Sequence, residues 1–419
     1  MRALELSPFL WDAYQELCDL RTAPESELVF GARTAPTLIP RPAAPANPNP
    51  SKKAQSRKRN RDGERKPESG PTSDADDATD TQPQRKKRAT SAGDAILHDF
   101  QLLGAAYRHL TRYESREALQ AFAGVSEAHL KTGWVMTQMA RCFYEIARYP
   151  EAAKHFREAR DLEPWRLDGL DLFGSCLWHL REEVELAFLA KDMEANDRLA
   201  PQTWCIVGNL YSLRQEHELA IKCFSRAIQL DPYYYYAYTL TGFEYKMKEE
   251  FEKSVDYFQK SIRIEPGPFN AWFGMGEIFF QQENYRTAQF HYDKAIKINP
   301  RNPIIQYHLG VILQKLEHPE KAISAFEKAV KLDEKNPLYR FRLAYALVQE
   351  KQYEKALHLL APLEGFTQSE SNVFLLIGRI HKALGNKSKA LLAYTKARDH
   401  RGSRCDVINE AVGKLCFVS

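Results

Sequence analysis

The stretch Pro201–Tyr234, PQTWCIVGNLYSLRQEHELAIKCFSRAIQLDPYY, decides how this chain folds. Trp204, Val207, Gly208, Tyr211, Ala220, Phe224, Ala227 and Pro232 occupy its positions 4, 7, 8, 11, 20, 24, 27 and 32. The large residues at 4, 7 and 11 recur three or four apart, giving the first half one apolar helical stripe. Position 24 supplies the facing residue from the second half. Small residues at 8, 20 and 27 let two helix backbones approach. Pro at 32 lacks an N–H and ends the second helix. These 34 residues read as a helix–turn–helix hairpin with one apolar side and no core of its own.

The arrangement recurs. Tyr238, Gly242, Tyr245, Phe258 and Pro266 fill the same positions in the next 34 residues, and Trp272, Gly276, Phe279, Ala288, Tyr292, Ala295 and Pro300 in the 34 after that. This is the tetratricopeptide-repeat (TPR) signature. Nine frames, starting at residues 99, 133, 167, 201, 235, 269, 303, 337 and 371, run end to end through Arg404. Each hairpin buries its apolar side only against a neighbour, so the expected fold is an all-α, right-handed TPR solenoid. Two frames depart from the pattern. The third has Leu186 at position 20, and the eighth has Leu360 and Leu363 at positions 24 and 27.

The chain divides by composition into four parts. Residues 1–21 read as a remnant of an N-terminal TPR region, because Ala3 and Pro8 have the spacing of positions 27 and 32 and Trp11, Tyr14 and Leu17 begin a further amphipathic helix. The expectation is an incomplete N-terminal region. Residues 22–93 are rich in Pro, Lys, Arg, Ser and Asp with almost no large apolar residue, and read as a disordered linker. Residues 94–404 hold the nine repeats, and 405–419 a capping helix and tail. The chain's net charge of +4 belongs to the linker: Ser51–Arg88 carries twelve Lys/Arg against seven Asp/Glu, leaving about −1 for the rest. Its basic clusters, Arg57-Lys58-Arg59-Asn60-Arg61 and Arg85-Lys86-Lys87-Arg88, suit nuclear import or merely solvated charge. Arg85, Lys86, Lys87 and Arg88 are the candidate import signal, and a nuclear location is expected.

Seven scattered cysteines, none with CxxC spacing, read as buried apolar residues of a reducing compartment. The sequence shows neither a phosphate-binding Gly-rich loop nor a metal-spaced His/Cys set nor a nucleophile–base pairing. The expectation is a non-catalytic protein with no cofactor or metal, no membrane span and no specific nucleic-acid partner.

Off-consensus wording carries a more specific likeness. Ala220–Tyr245 (AIKCFSRAIQLDPYYYYAYTLTGFEY), Asn270–Tyr285 (NAWFGMGEIFFQQENY), Gly174–Leu180 (GSCLWHL) and Leu6–Cys18 (LSPFLWDAYQELC) resemble the coactivator-binding TPR subunit of the anaphase-promoting complex, or cyclosome. The order of Pro8-Phe9-Leu10-Trp11, a long insert and a C-terminal array is similar as well. The resemblance implies a scaffold subunit of a cell-cycle ubiquitin ligase that works with other subunits of that complex. It also implies a concave groove that captures the C-terminal Ile-Arg tails of coactivators and of a substrate-receptor subunit. The family homodimerises through N-terminal TPRs mostly absent here.

Positions 2, 5, 9 and 12 of each first helix face the groove in that family's geometry. A groove for an Ile-Arg tail needs an apolar pocket, an acid or aromatic face, and donors for the carboxylate. The candidate residues are Asn209, Tyr236, Phe243, Glu244, Lys246, Asn270, Phe273, Glu277 and Tyr307. Asn209 or Lys246 would supply donors, Phe243, Phe273 and Tyr307 would wall the Ile pocket, and Glu277 or Glu244 would pair with the guanidinium. Each aromatic also fits an inter-repeat core, Asn209 a local hydrogen bond and Glu277 a solvated charge. The alternative is a co-chaperone-type TPR clamp for acidic C-terminal peptides. Asn209 fits that clamp, whereas Phe243 stands where a second Asn belongs and Cys205 where a Lys belongs.

Overall fold

The computed structural model describes residues 11–19, 82–363 and 370–399. From residue 115 the second helices of the repeats begin at 115, 149, 183, 217, 251, 285, 319, 353 and 387, each 34 residues after the last. The first helices, from Gly133–Glu145 through Glu370–Ala383, begin within three residues of the expected frames. Every described element is helical.

The packing inside each hairpin follows from the residue types at positions 8 and 24. The Phe224 ring lies against Gly208, Phe326 against Gly310, and Tyr394 against Gly378. A Cβ on Gly242 would stand 2.7 Å from Phe258 Cε1. Phe224, Phe258 and Phe326 are fully buried. The glycine backbone is thus the floor on which the ring of the second helix rests. The third repeat exchanges volumes: Ala190 replaces the ring at position 24, and Leu186, fully buried, fills position 20. In the eighth repeat the second helix, Tyr353–Leu360, shortens and continues as a 3-10 turn, Ala361–Leu363. Leu360 and Leu363 are both buried there, over Ala344 rather than a glycine.

Each first helix ends in a left-handed residue at position 15: Tyr113, Ala147, Arg181, Gln215, Glu249, Glu283, Glu317, Lys351 and Gly385, with φ from 59° to 79°. The hydrogen bonds are those of a Schellman turn. Glu216 N donates to Tyr211 O at 2.9 Å and Gln215 N to Ser212 O at 3.0 Å, and the other turns repeat this pair. Eight of these nine residues are not glycine, so each such turn carries a left-handed penalty of about 1–2 kcal/mol that hairpin packing must offset.

One arrangement differs from the expectation. The helix opening the array, Gln82–Thr111, starts twelve residues inside the stretch read as linker, so the linker boundary at Gly93 is corrected to before Gln82. Gln, Arg, Lys and Ala are good helix formers, and Pro83 falls at the helix start, where a missing N–H costs nothing. Arg85–Arg88 lie on this helix. Residues 22–81, the Arg57–Arg61 cluster and the capping helix expected over 405–419 lie outside the described residues. The helix Trp11–Asp19, expected from its apolar spacing, packs on the start of the array. Tyr14 and Cys18 are fully buried, Tyr107 Oη donates to Asp19 Oδ1 at 2.8 Å, and Trp11 lies edge-on to Trp134 at 5.3 Å.

The solenoid coils far enough to touch itself. Arg116 Nη2 donates to the Leu332 carbonyl at 2.5 Å, Arg301 forms an ion pair with Glu117, and the Tyr113 ring meets Phe269 edge-on at 5.6 Å. The first repeat therefore abuts the sixth and seventh across a hollow of about 840 Å³. Cys18, Cys142, Cys176, Cys205 and Cys223 are buried free thiols.

Candidate functional site: the concave cavity

The curvature of the array encloses a cavity of about 440 Å³ lined from repeats 2 to 7. Eight of the nine candidate residues line it: Asn209, Tyr236, Phe243, Glu244, Lys246, Asn270, Phe273 and Glu277. Tyr307 does not line it. Its ring packs between repeats, 5.5 Å from Tyr339 and 6.1 Å from Phe326. The position-5 residue Cys205 is fully buried, in the core with Ala220 and Phe224.

Most of the polar lining is already paired. Asn209 Nδ2 donates to Ser175 Oγ at 3.0 Å, and Ser175 Oγ lies 2.7 Å from Tyr236 Oη. This chain ties the concave faces of repeats 3, 4 and 5 together. Burial pushes the Tyr236 hydroxyl far above its ordinary value, so Tyr236 stays neutral. Glu244, buried, accepts from Ser212 Oγ at 2.6 Å and lies 2.7 Å from His217 Nδ1. Lys246 Nζ donates to Glu277 Oε2 at 2.7 Å and sits 5.3 Å above the Phe243 ring. Phe273 is wedged edge-on between Tyr292 and His308, at 5.5 Å and 5.2 Å. Asn270 opens the first helix of the sixth repeat at the cavity rim.

Repeats 2 and 3 supply a wall the sequence reading did not include: Tyr144, Glu145, Tyr149, Trp178, His179 and Arg181. Tyr144 and Trp178 hold position 12 of their frames, Glu145 and His179 position 13. Reading the groove positions two frames earlier would have found Tyr144 and Trp178. The side chain of Tyr149 stacks on His179 with centroids 4.2 Å apart and rings 8° from parallel. Arg181 lies over Trp178 at 5.5 Å. Burial raises the Glu145 carboxyl to about 7, against the lowering influence of Arg141 one turn away. Among the described residues no group of His, Cys, Asp and Glu has the arrangement to hold a metal ion, and no helix is long and apolar enough to cross a membrane.

Stacked 34-residue hairpins around a cavity walled by aromatics and paired charges define a TPR solenoid with a concave hollow. Residues 201–234 match the tetratricopeptide-repeat family model, and residues 281–363 match that of the anaphase-promoting complex, cyclosome, subunit 3. Protein bimA of Emericella nidulans is 42% identical over 149 residues, 36% of this chain and 18% of bimA. Anaphase-promoting complex subunit 3 of Dictyostelium discoideum is 43% identical over 137 residues, covering 33% of this chain and 14% of that protein. The human cell division cycle protein 27 homolog is 37% identical over 142 residues, 34% of this chain and 17% of its own length. Through its repeat array the chain is similar to this subunit 3, or cell division cycle protein 27, family. The matches span less than a fifth of these three relatives' length. The crystal structure of the anaphase-promoting complex hetero-tetramer Cut9–Hcn1 shares the fold, with a TM-score of 0.58 at 16% identity over 75% of this chain and 63% of that one.

Proposed function

We propose that this chain is a non-catalytic TPR scaffold subunit of the anaphase-promoting complex, working with other subunits of that complex and using its concave cavity to hold the C-terminal Ile-Arg tail of a coactivator or receptor subunit. The observation that carries the proposal is the cavity itself, formed in an array similar to the subunit 3 family and lined by aromatic rings, amides and carboxylates. Phe243 and Phe273 offer an apolar wall to an Ile side chain, and Asn270 offers an amide donor to a terminal carboxylate. A two-residue anchor gives a Kd of roughly tens of micromolar or weaker. Useful affinity then comes from a second contact elsewhere in the assembly, through effective concentration. Nuclear import through Arg85–Arg88 belongs to the same proposal.

The test is fluorescence anisotropy of a labelled peptide ending in Ile-Arg, titrated with the full 419-residue chain. The same peptide amidated at its C-terminus and a peptide ending in Glu-Glu-Val-Asp serve as controls. Saturable binding of the free Ile-Arg peptide alone supports the proposal. Preference for the acidic peptide, or indifference to amidation, rejects it.

A further inference from the structure

Three carboxylates line the cavity: Glu145, Glu244 and Glu277. Two are already engaged from within. Glu244 is held by Ser212 and His217, and Glu277 by Lys246. The lysine that the sequence offered as a donor for a ligand is therefore occupied by the acid that the sequence offered for a guanidinium. Glu145 differs from both. Its side chain makes no hydrogen bond or ion pair among the described residues, although it faces the 440 Å³ cavity.

The surroundings of Glu145 suit a flat cation. The adjoining rings of Tyr144 and Tyr149 lie 5.6 Å apart and 66° from parallel, and both line the cavity. An aromatic wall beside a free carboxylate is the combination that a guanidinium uses, with bidentate hydrogen bonds in its plane and ring contact across its face. The nearby cations do not satisfy Glu145. Arg141 Nη1 donates to Gln138 Oε1 at 3.2 Å and makes no ion pair with Glu145, while Arg181 lies over Trp178. Burial already disfavours the charged form of this carboxyl, so an arriving cation would relieve an unpaired charge rather than displace a partner.

We propose that Glu145, rather than Glu244 or Glu277, receives the guanidinium of the bound tail and sets the preference for Arg at its last position. This rests on the tail-binding reading above. The tail would then lie across the cavity, its Ile side chain towards Phe243 and Phe273 and its last side chain against the wall formed by repeat 2.

The experiment titrates the 419-residue wild type, Glu145→Gln and Glu145→Asp with peptides ending in Ile-Arg and in Ile-Gln, with thermal melting to confirm that each variant folds. The expected result is a loss of about tenfold or more for Glu145→Gln with the Ile-Arg peptide, partial recovery in Glu145→Asp, and no change with the Ile-Gln peptide. Equal weakening of both peptides assigns Glu145 a structural role and overturns the inference. Unchanged Ile-Arg affinity in Glu145→Gln overturns it while leaving tail binding intact. Absence of wild-type binding to either peptide overturns tail binding and this inference together.

Discussion

Lys246 Nζ and Glu277 Oε2, from the first helices of adjacent repeats, form a 2.7 Å ion pair with side chains 12% and 23% exposed. Removing one partner of such a pair leaves the other charge poorly solvated. Glu277→Gln and Lys246→Met should each destabilise the array by about 1–3 kcal/mol, and the double variant by less than their sum. Urea denaturation of the four proteins measures the coupling, and strict additivity would show that the pair contributes nothing.

Gly242→Ala should cost about 1–3 kcal/mol through overpacking, since the new Cβ would meet the Phe258 ring at 2.7–3.0 Å. Phe258 is fully buried and cannot swing out to water. Trimming the ring in Gly242→Ala/Phe258→Leu should recover part of the loss. Denaturation midpoints of the two single variants and the double test this, and no recovery would place the strain elsewhere.

The left-handed turns can be improved. Glu249 and Glu317 have φ of 61° and 59°, and neither forms an ion pair among the described residues. Glu249→Gly and Glu317→Gly should each stabilise by about 0.5–1 kcal/mol, the relieved strain exceeding glycine's entropic cost. Gly385→Ala, at φ 79° with open space around it, should lose about 1 kcal/mol. A calorimetric melting temperature that moves the other way would contradict the strain argument.

His308 should make the array acid-sensitive. Burial holds its imidazole below the ordinary value, with Lys246 adding to the effect and Glu277 opposing it. The unfolded chain takes up a proton near pH 6.5 that the folded one resists. Below that pH the unfolded state binds more protons, so stability falls as pH falls. The raised Glu145 carboxyl acts oppositely between about 7 and its ordinary value, so the histidine term must be isolated. His308→Gln should flatten the decline of melting temperature between roughly pH 6.5 and 5. An unchanged slope would remove His308 as its source.

Much of this structure is legible in the residues. The 34-residue period announces the hairpins, and in repeats 4 to 7 and 9 a Gly at position 8 makes room for the ring at position 24. The left-handed turns are hidden because Tyr, Ala, Arg, Gln, Glu and Lys stand where glycine usually announces them. Seven of the cavity-lining candidates sit at positions 2, 5, 9 and 12, which the family resemblance puts on the concave face, and Glu244 sits beside them at position 10, but Tyr307, at position 5, does not line the cavity, because there a large ring gains more by packing between repeats. The Tyr144–Glu145 and Trp178–His179 wall is set by superhelical curvature, which brings repeats far apart in sequence around one hollow. Pairing of Lys246 with Glu277 also needs three dimensions, since in sequence each looks free for a ligand.

The Arg116–Leu332 and Arg301–Glu117 contacts change what kind of polymer this array is. A solenoid whose repeats touch only their neighbours unfolds like a row of coupled beads, fraying from either end. Fastening the first bead to the sixth and seventh turns the row into a hoop, so damage to the first repeat is felt some 216 residues away. Contact order rises and end-fraying gains an opponent, and folding waits on a late, long-range closure rather than finishing by local propagation.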